Sequence, residues 1–434
     1  MTKKVAICTL GCKVNTYESE AVKKQFENHG YVCVGFDEFA DVYIINTCTV
    51  THLGDRKSRQ MIRRTKQQNP ESILVVMGCY SQVAPCEVAK IKDVDIIVGT
   101  AEKAHIYDAV SEFLNDKKKL NLVSDISKKT DFEELEVTSY EGRTRAIIKI
   151  QDGCNNFCSY CIIPYARGRI RSRSIESTVA EAKRLASHGY CEIVLVGIHI
   201  ASFGRDTGEK LIDLLCELNN IEGIKRIRMG SLEPTLFDEK FTKEIAKFPK
   251  ICRHFHLSLQ SGCDETLKRM NRKYKTTDYM QSVKRIREAF CDAAITTDIM
   301  VGFPGETDEE FAETMEFVRE VSFAEAHIFK YSIRKGTAAE KMPNQVAPEI
   351  KEKRSKELIN LTNKTCQEFL QRVVGKTMSV LFEREHKGEK NLYEGKTDNY
   401  ITVVAKSEED ISSKIKNVKI ESIKNGIAQG FISE

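Results

Sequence analysis

Between Arg145 and Ser332 the chain repeats one pattern six times, a short apolar run followed by an amphipathic stretch, at about 30 residues per cycle. The runs are Ala146–Ile150, Glu192–Gly197, Lys225–Met229, His254–Leu259, Ala294–Val301 and Ala326–Tyr331. All but the last, which meets a turn, lead into a helix-like segment. Such alternation constrains topology strongly, because parallel strands can be joined only through a long crossover, ordinarily a helix. A closed barrel takes eight units and about 250 residues, so six units predict a partial parallel barrel.

The flanking segments read differently. In residues 1–115, Lys4–Leu10, Val42–Asn46 and Ile73–Met77 are strand-like, while Asn15–Asn28 and Arg56–Lys66 have helical periodicity. This predicts an open parallel α/β domain. Residues 116–139, with Lys117–Lys119, Lys128–Lys129 and Glu133–Glu134, read as a polar linker. Residues 140–372 then hold the partial barrel and a charged helix starting at Pro348. Residues 373–434 switch to period-two runs (Met378–Phe382, Tyr400–Val404, Ile415–Ile420, Ile427–Ile432), the pattern of a small antiparallel barrel. The predicted class is α/β with an all-β carboxy-terminal domain, and 434 residues accommodate three cores. No apolar run reaches the roughly 18–20 residues of a bilayer helix. Lys13 interrupts the amino-terminal apolar patch too early for a signal peptide, so a cytoplasmic protein without a membrane partner is expected.

Fifteen cysteines in a long chain without an export signal point away from disulfides. Cys154, Cys158 and Cys161 form a C-x3-C-x2-C run directly after the first barrel strand. Three thiolates in one loop can hold three irons of a [4Fe–4S] cluster and leave the fourth iron open, as a catalytic centre requires. A zinc loop is the alternative, but it wants a fourth Cys or His close by, which this stretch lacks. Cys12, Cys48 and Cys79 each follow the end of an amino-terminal strand, 36 and 31 residues apart. The carboxyl ends of parallel strands converge on one edge, where ligands bind, so these three are expected to meet and to hold a second cluster with an open iron. Cys8, Cys33, Cys86, Cys191, Cys216, Cys252, Cys263, Cys291 and Cys366 lie inside predicted elements or lack partners, and are expected to be buried packing residues.

The Cys154–Cys161 spacing in a six-unit barrel resembles the radical S-adenosylmethionine (SAM) superfamily. The resemblance implies that the open iron binds SAM and that an electron from the cluster splits it into methionine and a 5′-deoxyadenosyl radical. It also implies SAM contacts at Gly197 and His199 after the second strand, Gln260 after the fourth, and Gly302 and Glu306 after the fifth. Thr9-Leu-Gly-Cys12-Lys-Val-Asn15, Asn46-Thr-Cys48 and Gly78-Cys79 resemble the amino-terminal domain of the methylthiotransferases, a family that ends in a small barrel, the TRAM domain. The Leu-Gly-Cys-Lys-Val-Asn form, His256–Asp264 and Ile163–Gly168 are most similar to the branch acting on N6-threonylcarbamoyladenosine in tRNA.

The reaction implied by that branch replaces the C2–H of adenosine 37 by C–SCH3, using two [4Fe–4S] clusters and two SAM per turnover. No catalytic residue beyond the cluster ligands is expected. The implied partners are tRNA carrying the modified adenosine 37 and an electron donor such as flavodoxin or ferredoxin. Three other readings share the cysteines: the isopentenyladenosine branch, which usually has Gly-Cys-Gln-Met-Asn; the branch modifying a ribosomal-protein aspartate, with Gly-Cys-Pro-Lys-Asn; and a non-catalytic iron–sulfur RNA-binding protein.

Net charge is only +4, but the basic residues are unevenly spread. Arg56, Arg59, Arg63 and Arg64 lie just beyond Cys48, and Arg167, Arg169, Arg171 and Arg173 just beyond the barrel cysteines. Basic runs beside both reactive loops are expected to draw in a phosphate-rich RNA. From Gly375 onward ten basic and ten acidic side chains balance, so charge does not mark the last domain as an RNA binder.

Overall fold

The computed structural model describes residues 2–49, 52–140 and 142–433; within the helix His52–Gln68 the side chains of residues 52, 53, 55, 56, 67 and 68 lie outside that description. The amino-terminal sheet has six parallel strands in the spatial order Val32–Val34, Lys4–Thr9, Val42–Thr47, Ile73–Gly78, Ile96–Val98, Leu120–Leu122. Successive residues of its central strands feed two cores. Val5, Ile44 and Val75 face one, and Ala6, Ile45 and Val76 the other. Coverage on both faces explains why these strands read as unbroken apolar runs. Strand order reverses between Lys4–Thr9 and Val42–Thr47, so the connections from these two strands leave in opposite directions and open a crevice at their carboxyl ends.

The segment 116–139 is not a free linker. Leu120–Leu122 is the sixth strand of the amino-terminal sheet, and Leu135 and Val137 pack in the barrel core. Its charged residues masked these short apolar contributions.

The central domain consists of two parallel arcs, Arg226–Met229/Glu192–Val196/Arg145–Lys149 and His254–His256/Ala294–Val301/Glu325–Lys330. Bridges between Ile227 and Ile251 and between Leu232 and Leu257 join them into six strands. Among the described residues the first and sixth strands do not pair, so the barrel is partial. Helix Lys13–Asn28 spans the junction: Val14, Tyr17 and Ala21 belong to the barrel core, while Val22 and Phe26 belong to the amino-terminal one. Spacings of three and four residues give a helix two such stripes.

The carboxy-terminal domain is a closed five-stranded barrel, Thr377–Glu385, Leu392–Thr397, Thr402–Lys406, Ile427–Ser433 and Ile415–Lys424, the architecture of a TRAM domain. It is not wholly antiparallel, because Thr402–Lys406 and Ile427–Ser433 close it side by side in the same direction. Leu392–Thr397 escapes sequence reading because its inward residues are Tyr393, Gly395 and Thr397. Phe369, Leu370 and Val373 from the end of the preceding long helix region, with Ala294 and Ala324 of the central domain, complete its core. Among the described residues, no helix is long and apolar enough to cross a membrane.

Candidate active site

The crevice at the strand reversal carries Cys12, which precedes helix Lys13–Asn28, and Cys48, which follows Val42–Thr47. Gly11 has φ +103°, and a Cβ there would lie 2.8 Å from Cys48 Cβ and 3.0 Å from its Sγ. Only glycine allows this backbone and this approach. Asn15 Nδ2 donates to the carbonyls of Leu10 (2.7 Å) and Thr47 (3.1 Å), tying the two strand ends together. Cys79, at the end of the neighbouring strand, receives Arg167 Nε–H from the barrel domain at 3.2 Å, and the same guanidinium donates to Asn15 Oδ1 at 2.7 Å. The three cysteine-bearing strand ends thus lie side by side. Burial pushes the Cys79 thiol up to about 11, against the pull of Arg167.

The barrel cysteines sit on a loop pinned to its own exit. Gly153 has φ +71°, a Cβ there would lie 1.8 Å from the carbonyl oxygen of Arg169, and Cys154 N–H donates to Gly168 at 3.0 Å. Asn156 N–H points at Cys154 Sγ (3.4 Å) and Arg272 Nη1 at Cys158 Sγ (3.4 Å). Burial pushes Cys154 up and Cys161 up to about 12. Such thiols become thiolates only with a metal or a cation to hold them. Among the described residues, no three His, Cys, Asp or Glu side chains are gathered around a single metal-ion position. Two groups of three thiols, each group receiving N–H donors, suit the chemistry of iron–sulfur clusters.

One cavity of about 770 Å³ joins the two regions, lined by Gly11 and Cys12 on one side and by Cys154, Cys158 and Cys161 on the other. It runs down the barrel lumen from Gly197 and Glu233, past the carboxyl ends of strands, to His254 and Glu325 at amino ends. His199, on this wall, pairs with Glu233 (Nε2···Oε2 2.9 Å). Glu233 also accepts from Asn156 (3.1 Å) and pairs with Arg272 (3.4 Å). His199 and Arg272 outweigh burial and hold the Glu233 carboxyl below its usual range. Sequence reading misses both: Glu233 lies just past the strand Arg226–Met229, where catalytic groups concentrate, whereas Arg272 follows the helix Asp264–Arg269 and carries no such positional signal.

Gly197 and His199 line the cavity; Gln260, Gly302 and Glu306 do not. Glu306 accepts from Gly302 N–H (2.9 Å) and pairs with Arg354 (2.7 Å), so it anchors helix Pro348–Gln371. Gln260 sits in a backbone bridge to strand Ala294–Val301.

The basic run after the barrel cysteines is mostly buried, which corrects its assignment to RNA. Arg167 is fully buried against Glu18 (2.5 Å) and Asp152 (3.3 Å). Arg171 lies 3.8 Å from Asp152, and Arg173 pairs with Glu134 (2.9 Å) and Glu181. Only Arg169 is exposed, over the Phe157 ring at 4.9 Å. On the amino-terminal domain, Arg59 and Arg63 line a shallow groove of about 740 Å³ that contains none of the cysteines, Arg64 pairs with Asp37 (2.8 Å), and the Arg56 side chain lies outside the described residues. The packing role expected of nine cysteines also needs correction: Cys252 and Cys263 are buried, but Cys86, Cys216 and Cys291 are exposed on short helices and turns.

Residues 148–318 match the Radical SAM superfamily profile and residues 4–99 that of the Uncharacterized protein family UPF0004. The chain is 43% identical to the threonylcarbamoyladenosine tRNA methylthiotransferase MtaB of Bacillus subtilis (strain 168), covering 96% of this chain and 93% of that protein. It is 38% identical to a tRNA-2-methylthio-N(6)-dimethylallyladenosine synthase of Pelotomaculum thermopropionicum, covering 99% and 98%. The radical SAM methyltransferase TsrM of Kitasatospora setae shares the fold, with 15% identity, a TM-score of 0.57 and coverage of 76% and 73%. Two cysteine-bearing loops opening on one barrel cavity, in a chain alike to such relatives over nearly its whole length, place it in a family: the chain belongs to the methylthiotransferases of the radical SAM superfamily.

Proposed function

We propose that this enzyme acts in the cytoplasm on tRNA, converting N6-threonylcarbamoyladenosine at position 37 to its 2-methylthio derivative. The observation that carries the reaction is the single cavity shared by the Cys12 loop and the Cys154–Cys161 loop. The nucleoside follows from the relatives named for it, at up to 43% identity. Cys154, Cys158 and Cys161 would hold one [4Fe–4S] cluster and Cys12, Cys48 and Cys79 another, and with two SAM per turnover and electrons from a flavodoxin or ferredoxin these supply radical and sulfur chemistry that no side chain can.

The chain's own residues position that chemistry. Arg167 and Arg272 donate to Cys79 and Cys158, favouring the ligating thiolate at each. His199, Glu233 and Asn156 form a hydrogen-bonded wall beside Gly197, where SAM would lie. Enclosure by the barrel lumen keeps water from a reactive radical.

Mass spectrometry of tRNA nucleosides from a strain lacking this protein tests the reading. The 2-methylthio nucleoside should vanish and its precursor accumulate. Unchanged tRNA nucleosides would refute it and move the assignment to a protein substrate.

A further inference from the structure

The cavity ends, away from the barrel cysteines, in a corner crowded with positive charge. Lys13, Arg228, His254 and Tyr400 line it. Tyr400, from a loop of the carboxy-terminal barrel, is the centre of the corner: Arg228 lies 4.8 Å from its ring centroid, Lys396 4.7 Å and Arg145 5.3 Å, and His254 stacks on it at 4.7 Å. Two carboxylates answer these charges. Glu192 pairs with Arg228 (2.8 Å) and Arg226 (3.4 Å), and Glu383 pairs with Arg145 (2.9 Å). Five cations therefore face two carboxylates, and among the described residues neither Lys13 nor Lys396 has a carboxylate within 4.0 Å.

The other acids of the cavity wall are committed or distant. Glu233 is held by His199, Asp298 lies 3.4 Å from His256, and Glu325 is two strands away from His254. Like charges held together inside a walled cavity make an unfavourable arrangement that a bound anion relieves.

We propose that Lys13, Arg228 and Tyr400 form an anion subsite that takes the carboxylate of the threonylcarbamoyl side chain, selecting that nucleoside over one bearing an uncharged apolar group. The proposal rests on the nucleoside assignment above. Lys13 directly follows Cys12, so a carboxylate gripped there holds the base beside the loop assigned to sulfur chemistry. Arg228 is fixed beforehand, since it also donates to the carbonyls of Asp398 (2.9 Å) and Thr397 (3.2 Å), and a pre-positioned cation loses little freedom on binding. An RNA backbone phosphate carries the same charge, and the test separates the two sources.

Reconstituted holoenzyme would be titrated anaerobically with three anticodon stem-loop RNAs, carrying at position 37 the threonylcarbamoyl nucleoside, its threonine amide, or plain adenosine. Wild type should bind the carboxylate form about tenfold more tightly than the amide, as one charge-assisted contact allows. Lys13→Gln should cut that preference to about twofold without weakening the amide RNA, and Lys13→Arg should keep most of it. Iron content and thermal midpoint of both variants should match wild type, since no ion pair of Lys13 is lost. A preference that survives Lys13→Gln, or equal weakening of all three RNAs, which would mark a phosphate, overturns the subsite. Failure of wild type to methylthiolate the carboxylate RNA would instead remove the nucleoside assignment itself, and is read without any variant.

Discussion

Glu18 offers the sharpest test of how the two cysteine loops are held in register. Its side chain is fully buried between the amino-terminal and central domains, 2.9 Å from Lys149, 3.3 Å from Lys103 and 2.5 Å from Arg167. Burial pushes its carboxyl up, but the three cations outweigh burial and hold it at about 2, against an ordinary 4.5. That displacement corresponds to about 3 kcal/mol of stability, as does the usual cost of removing one partner from a buried pair. Because the folded value is depressed, this contribution is complete above pH 4.5 and is lost as pH falls toward 2.

Glu18→Gln should therefore loosen helix Lys13–Asn28 against the barrel by about 3 kcal/mol, equally at pH 8 and pH 5. The chain has no tryptophan, so amide hydrogen exchange read by mass spectrometry is the assay, and protection of that helix should fall about a hundredfold. Adding Lys103→Met should restore part of the loss, since an apolar group there removes an unpaired buried cation, and Glu133 keeps the backbone N–H groups of residues 103 and 104. Exchange unchanged by Glu18→Gln, or a double variant no better than the single, would refute the electrostatic account.

Other outcomes follow from the same geometry. Wild type reconstituted anaerobically should hold about eight irons; Cys158→Ala and Cys48→Ala should each hold about four, with SAM cleavage abolished in the first and partly spared in the second. Arg167→Lys removes the Nε–H donor to Cys79, so an electron paramagnetic resonance titration should find the potential of the cluster there about 60 mV more negative, the one-electron equivalent of one charged hydrogen bond. Deleting residues 373–434 should lower the thermal midpoint of the remaining domains by about 5 °C or more, because Arg226 and Arg228 lose carbonyl partners at Ser379, Lys396, Thr397 and Asp398.

Much of this architecture is legible in sequence because strand ends are. An apolar run that stops at Gly11 or Thr47 marks the carboxyl end of a parallel strand, and in a parallel sheet those ends share one edge. Direction is what the sequence hides. Arg169 and Arg171 stand two residues apart in one basic run, yet one meets solvent and the other lies against Asp152, because the short strand Arg171–Ser172 pairs with Gln151–Asp152 and turns its charges inward. Lys103, Lys149 and Glu18 look like ordinary polar residues until three elements bring them together. Glu306 likewise resembles a ligand contact by position, and its pairing with Arg354 emerges only when a helix 48 residues downstream folds back over it.

The interdomain charges also bear on how such enzymes can be recombined. Glu18 and Lys103 come from one domain, and Lys149, Asp152, Arg167 and Arg171 from the other. Separated, each half would keep an internal pair, Glu18 with Lys103 and Asp152 with Lys149, but would lose the pairs of Glu18 with Lys149 and Arg167 that cross the boundary and hold the two halves in register. A chimaera carrying the amino-terminal domain of a relative should assemble only if the donor supplies an acid where Glu18 lies. The third domain, which meets the lumen at Tyr400, takes no part in that lock and is the part that could be exchanged without breaking it.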